Sequence, residues 1–218
     1  MDMKPIDSRI LVGIQVPATP VIDRAMEYAR QKCEPYLFNH VVRSWLFAVR
    51  LGQLRSIEHD AEVLAVGILL HDITLNKDFA GPRRFEVEGA DLARTFATDS
   101  GFDKRRAQLI WDSVALNSTP SIALHKEPEV ALGTMGIGLD YGGFGFEKMI
   151  PSVEMTEILK AFPRLKMKHN FAETCRHLVA TRPETSSDNF LRDFGERFVP
   201  GYKPVSTVDL LMNAPFDE

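Results

Sequence analysis

From Val63 to Leu70 the chain carries no polar side chain, and the two residues that follow are His71 and Asp72. A helix that is apolar nearly all round belongs in the middle of a bundle, because every face needs a partner out of water. This one delivers an imidazole and a carboxylate to its last turn. A buried carboxylate costs several kcal/mol unless it is paired or bound to a cation. The run therefore demands helices packed on several sides, and something at its end that satisfies Asp72.

The rest of the chain supplies such helices. Leu37, Val41, Trp45, Ala48, Val49 and Gly52 recur at three- and four-residue steps, which predicts an amphipathic helix from about Tyr36 to Arg55. His40 and Arg43 lie beside that inner stripe. Thr19 and Pro20 open an earlier helix as N-cap and first turn, and Asp60 caps the apolar helix. Further helices are expected over 85–99, 104–117, 128–141, 152–162, 168–181 and 187–198, separated by Gly- and Pro-containing breaks. No stretch sustains the alternation of a strand. The expected fold is all-α, a single-domain helical bundle over 19–200, with an irregular arm at 1–18 and a tail at 201–218.

Composition narrows the function classes. With 218 residues and 44% hydrophobic content, one full core is affordable. A net charge of −4, with both signs mixed along the chain, lacks the basic footprint of a nucleic-acid binder. No apolar run reaches the roughly 18 residues of a membrane span. The N-terminal Met-Asp-Met-Lys has no signal-peptide pattern, and Cys33 and Cys175 read as buried free thiols. The expected setting is the cytoplasm, with a small-molecule substrate, no nucleic acid and no membrane. Homo-oligomerisation through Phe190, Phe194 and Phe198 stays open beside an intramolecular stripe.

The candidate chemistry gathers in four polar residues on apolar helices. His71 and Asp72 stand together, and His40 precedes them by one helix–loop–helix unit, so an antiparallel partner can bring it across. Asp140 ends the run from Ala131 to Leu139, whose Gly133, Gly136 and Gly138 allow very close helix packing. Spacing alone leaves two readings: a metal site, or a core histidine hydrogen-bonded to a carboxylate.

Five stretches in order, Asn39–Arg43, Leu70–Ile73, Arg84–Ala90, Ile110–Pro120 and Pro128–Leu132, resemble the cyanamide hydratase-like group of the HD superfamily of metal-dependent hydrolases. The resemblance spans about 20–200. It implies a helical fold of the HD type around one divalent metal ligated by His40, His71, Asp72 and Asp140; two imidazoles and two carboxylates suit zinc or iron, and also manganese. It also implies an enzyme, a hydrolase or hydratase whose metal-acidified water adds to a nitrile-, cyanamide- or amide-like C–N substrate, with Asp72 as the catalytic proton acceptor. Arg43, Thr74, Lys77, Glu88 and Asn117 are the candidates for binding substrate or supporting the ligands. Phe85 replaces a histidine of many HD phosphohydrolases, which argues against a second metal. Asn117 stands where members of the group tend to have histidine; an amide cannot shuttle a proton near neutral pH, which sets cyanamide itself in doubt. His125 is the candidate to substitute for that histidine. A phosphohydrolase acting on a nucleotide or phosphate ester and an inactive metal-containing binding protein remain as alternatives.

Overall fold

The computed structural model describes residues 7–216. Eleven α-helices occupy most of the described residues: α1 (Pro20–Lys32), α2 (Pro35–Arg55), α3 (Ala61–Leu69), α4 (Phe85–Asp99), α5 (Lys104–Ala115), α6 (Pro120–Ala123), α7 (Pro128–Gly142), α8 (Ser152–Ala161), α9 (Met167–Thr181), α10 (Leu191–Phe198) and α11 (Thr207–Met212). The all-α expectation holds for this architecture. One departure precedes the helices. Residues 8–17, read as part of an irregular arm, form an antiparallel hairpin of β1 (Ser8–Leu11) and β2 (Ile14–Pro17). Its turn, Val12-Gly13, has positive φ at both positions (50° and 76°), the twist that a two-residue hairpin turn needs. Ile14 and Val16 are buried against the helices, so the hairpin is part of the core edge. The first six residues of the expected arm lie outside the described residues.

Local chemistry explains the helix boundaries that matter most. Asp60 caps α3 as expected, its carboxylate accepting from the backbone N–H of Glu62 and Val63. Thr19 occupies the N-cap position of α1 with Pro20 at the first turn, yet its hydroxyl makes no capping bond. The helix anticipated from 187 begins only at Leu191, and the connection after Asn117 contains the unforeseen α6. In the tail, Tyr202 packs on Gly195 and shares a hydrogen bond with Ser186 (2.8 Å), while α11 stands exposed.

α3 occupies the centre, with Val63 through Leu70 buried on all sides. Each large aliphatic side chain so removed from water contributes about 1.5–3 kcal/mol before entropy is counted. Around it sit α1, α2, α5 and α7, and α2 runs its long apolar face along α7.

The α2–α7 contact is set by Gly136. A Cβ at that position would run into the Ser44 carbonyl of α2, with Ala48 at 2.8 Å. Gly133 faces the Ser113 and Ile68 side chains, which would lie 3.2 and 3.3 Å from a Cβ there, so α7 also packs closely on α5 and α3. Substituting Gly136 by alanine is expected to force the helices apart and cost about 1–3 kcal/mol, read as a lower urea midpoint with unchanged slope.

Candidate metal centre

The backbone contact at Gly136 also places the site. One turn beyond Gly136 on α7 is Asp140, and one turn before Ser44 on α2 is His40. Because the helices run in opposite senses, these two residues face each other. His40 Nδ1 donates to Asp140 Oδ2 at 2.6 Å. Arg43, on the next turn of α2, clamps the same carboxylate with two bonds, Nε to Oδ1 at 2.6 Å and Nη2 to Oδ2 at 2.7 Å. Its remaining nitrogen donates to the Phe162 carbonyl at 2.8 Å. Arg164 adds a bond to the Asp140 carbonyl at 2.8 Å.

His71 arrives from the other side. After α3 ends the chain continues in tight turns, and His71 folds back so that Nδ1 donates to the Ile68 carbonyl at 2.7 Å. A carbonyl only accepts, so this contact fixes the proton on Nδ1 and leaves Nε2 with its lone pair free. Asp140 does the same for His40. Both Nε2 atoms then face one carboxylate: Asp72 Oδ2 is 3.2 Å from His71 Nε2 and 3.7 Å from His40 Nε2. His71 Nε2 is buried without a hydrogen-bond partner, although the Asp72 oxygen is 3.2 Å away. His40, His71 and Asp72 each offer a donor atom within 4.8 Å of the others, and all three are buried.

Three electron-pair donors at this spacing repel one another unless a proton on an imidazole or a metal cation lies between them. Two imidazoles and a carboxylate fit a divalent ion of the zinc, iron or manganese kind, and three protein ligands leave coordination positions open, as catalytic sites require. The donor set, the fixed tautomers and the orphaned nitrogen thus suit a metal ion.

Asp140, expected as a fourth ligand, is placed differently. Both of its oxygens are taken by Arg43 and His40, so it stands behind His40 and orients it, the arrangement by which a carboxylate commonly aims a ligating imidazole. Arg43 pairs with this carboxylate. The substrate candidates separate into two groups. Asn117 lines the cavity over the metal group, with its amide nitrogen donating to the Val114 carbonyl at 2.7 Å. Thr74, Lys77 and Glu88 line a different pocket beyond the His71-Asp72 turn, together with Cys33 and Phe79. The Thr74 hydroxyl is spent on the Phe85 carbonyl (2.7 Å), Glu88 pairs with Arg83 (3.0 Å), and Lys77 is exposed. His125 is exposed and away from the cavity lining.

The cavity above His40, His71 and Asp72 holds about 410 Å³. Its walls include Thr134, Ile137, Gly138 and Tyr141 from α7, the Phe144 and Phe146 loop, Phe171 of α9 and Phe190. No lysine or arginine is in the lining. Ser118, also in the wall, is held by fully buried Glu86 (2.8 Å), which Arg84 and Asn189 bind in turn. The sequence reading missed this aromatic wall, and it missed Thr134. The polar residue within the apolar run of α7 was the available signal for Thr134.

Electrostatics follow from burial and pairing. Burial alone would raise the Asp140 carboxyl, but the Arg43 and His40 hydrogen bonds prevail and hold it well below the usual carboxylate range. Burial pushes the His40 imidazole down, against the pull of Asp140. For His71 burial also acts downward, yet the Asp72 charge beside it carries the net shift upward. Asp72, which burial alone would raise, is lowered by His71.

A pH dependence follows. Asp140 binds a proton less readily folded than unfolded, so its pairing stabilises the fold above the unfolded pKa of about 3.9 and is lost as pH falls through the lowered folded value. Asp72 adds in the same direction. His71, with its raised value, contributes below about pH 6.5 and forfeits that contribution as pH rises through the folded value. His40, with its lowered value, contributes above about pH 6.5 and loses that contribution as pH falls, so urea midpoints are expected to decline gradually below about pH 6.5 and steeply below about pH 4.

Fold and site define an all-α protein with a buried His–His–Asp group suited to a metal ion and opening on an apolar cavity. A search against protein-family models finds no match, and a search of curated proteins finds none. Among the described residues, no helix is long and apolar enough to cross a membrane.

Proposed function

We propose that the chain is a mononuclear metal-dependent enzyme of the HD type, a hydrolase or hydratase that adds water to a small C–N substrate of nitrile, cyanamide or amide type. The observation that carries this reading is the convergence of His40 Nε2, His71 Nε2 and Asp72 on one point at the cavity floor, with His71 Nε2 left without a protein partner. A zinc or iron(II) ion there would polarise the substrate and bring the pKa of water toward neutrality. The protein residues then have distinct tasks. Asp140, held by Arg43, and the Ile68 carbonyl keep both imidazoles facing the site. Asp72 accepts the proton that water loses. In nitrile hydration the water oxygen bonds to carbon as one carbon–nitrogen π bond breaks and the nitrogen takes a proton, giving an imidic acid. The oxygen's remaining proton then passes to the nitrogen while the C=N π bond is replaced by C=O, and an amide results. The apolar walls favour an uncharged substrate.

Phosphate-ester chemistry fits this cavity poorly, because its lining offers no lysine or arginine to an anion. The test is an assay of protein loaded with zinc or iron(II) against nitriles, cyanamide and simple amides, with p-nitrophenyl phosphate and nucleotides in parallel. Turnover of the C–N compounds, falling about 10²–10⁴-fold in Asp72→Asn, is the expected result. Turnover of the phosphate esters instead would assign a phosphohydrolase. Bound metal with neither activity would leave a binding protein.

A further inference from the structure

The substrate's chemical class is written in the cavity above the metal group. Along α7, Thr134, Ile137, Gly138 and Tyr141 fall at steps of three and four residues, so they form one helical face, and all four line the cavity. That face is apolar except at its ends. Thr134 is 4% exposed and its hydroxyl has no hydrogen-bond partner. A buried hydroxyl without a partner costs free energy, so the position is one where a ligand atom can supply what the protein does not.

Opposite and beyond lies an aromatic wall. Tyr141 meets Phe171 edge to face with ring centroids 5.4 Å apart, Phe171 stacks on Phe190 at 6.0 Å, and Phe144 stacks on Tyr141 at 6.3 Å. These rings hold one another in place, which leaves their remaining faces and edges ready for a further ring. The volume agrees: roughly 150 Å³ of apolar space is enough for benzene, and this cavity has about 410 Å³. A substrate with three non-hydrogen atoms, such as cyanamide, would leave most of the wall uncovered.

We propose that the cavity takes a neutral substrate with an aromatic or similarly compact apolar body, its polar C–N head lying beside His40, His71 and Asp72 and received by the Thr134 hydroxyl. This rests on the C–N hydration reading for the nature of the head group, whereas the aromatic body and the role of Thr134 rest on the cavity alone. Thr134 is thereby a positioning residue that fixes where the head group sits.

Calorimetric titration tests it with benzamide, toluene, acetamide and phenyl phosphate as probes, on wild-type protein with and without zinc. Benzamide is expected to bind at least about tenfold more tightly than acetamide and than phenyl phosphate, in both metal states. Thr134→Val should weaken benzamide about 2- to 10-fold, leave toluene unchanged, and melt no lower than wild type, since the lost hydroxyl had no partner; Thr134→Ser should restore benzamide binding. Equal or tighter binding of acetamide or phenyl phosphate would overturn the proposed class. An unaltered benzamide affinity in Thr134→Val would overturn the role of Thr134. The enzymatic reading fails separately. Ring binding with no turnover of benzonitrile would refute hydration and leave the pocket assignment standing, and faster turnover of cyanamide than of benzonitrile would do the reverse.

Discussion

Replacing Arg43 by methionine is expected to destabilise the protein by about 3–5 kcal/mol, measured by urea denaturation at neutral pH. Arg43 is 0% exposed and Asp140 is 3% exposed. The guanidinium supplies two of the hydrogen bonds on that carboxylate, and methionine supplies none. The cost arises less from a lost attraction than from a buried negative charge left with a neutral imidazole and the rim contact of Arg164. Removing the charge along with its partner should therefore recover much of the loss, so Arg43→Met with Asp140→Leu is expected to be more stable than Arg43→Met alone. The single variant should also flatten the decline below pH 4, because Asp140 would no longer have its strongest source of depression. A loss under 1 kcal/mol would show that Arg43 is not what keeps Asp140 ionised.

The second large effect is on thermal stability in the presence of metal. An ion that binds only the folded chain stabilises it by an amount set by its free concentration relative to Kd, about 4 kcal/mol at a thousandfold excess. For a chain of this size that corresponds to a rise in Tm of roughly 8–16 °C. Zinc added to chelator-treated wild type is expected to give such a shift in differential scanning calorimetry. His71→Ala should give little or none, since it removes one of three ligands and the nitrogen that has no other partner. Equal shifts in both proteins would place the bound ion elsewhere.

Much of this architecture was legible from local chemistry. The unbroken apolar run of α3 forced a central position, and its capping Asp60 lay where the pattern put it, whereas His71 and Asp72, expected in its last turn, follow its end at Leu69 in tight turns. The glycines of α7 announced close packing, and Gly136 against Ser44 is the contact that brings Asp140 to His40. The role of Asp140 was not legible. A buried aspartate needs a partner, but whether that partner is a metal, a histidine or an arginine depends on which oxygen faces which neighbour. Arg43 was a candidate for supporting the ligands or binding substrate, and nothing in the sequence could say that it would bind both oxygens of Asp140.

Thr74, Lys77 and Glu88 illustrate a second limit. Nearness in sequence to His71-Asp72 does not reveal the side on which the chain leaves the turn, and these residues leave on the far side. The aromatic wall comes from α7, the loop after it, α9 and the approach to α10, and no local period links those segments. Phe190 and Phe194 proved to pack with Phe171 within the chain, as the intramolecular alternative required. The hairpin was overlooked because Val12-Gly13 is a poor match to the turn residues that usually mark one, valine at positive φ being uncommon.

The most direct test of a His40–His71–Asp72 metal centre is elemental analysis by inductively coupled plasma mass spectrometry. Wild type, His71→Ala, Asp72→Ala and Asp140→Asn would each be incubated with zinc or iron(II) and freed of excess ion. About one equivalent in wild type, none in His71→Ala and Asp72→Ala, and a weakened but measurable occupancy in Asp140→Asn is the predicted pattern, since a residue behind a ligand typically changes affinity by about 10–100-fold. Stoichiometric metal retained in both His71→Ala and Asp72→Ala would contradict it.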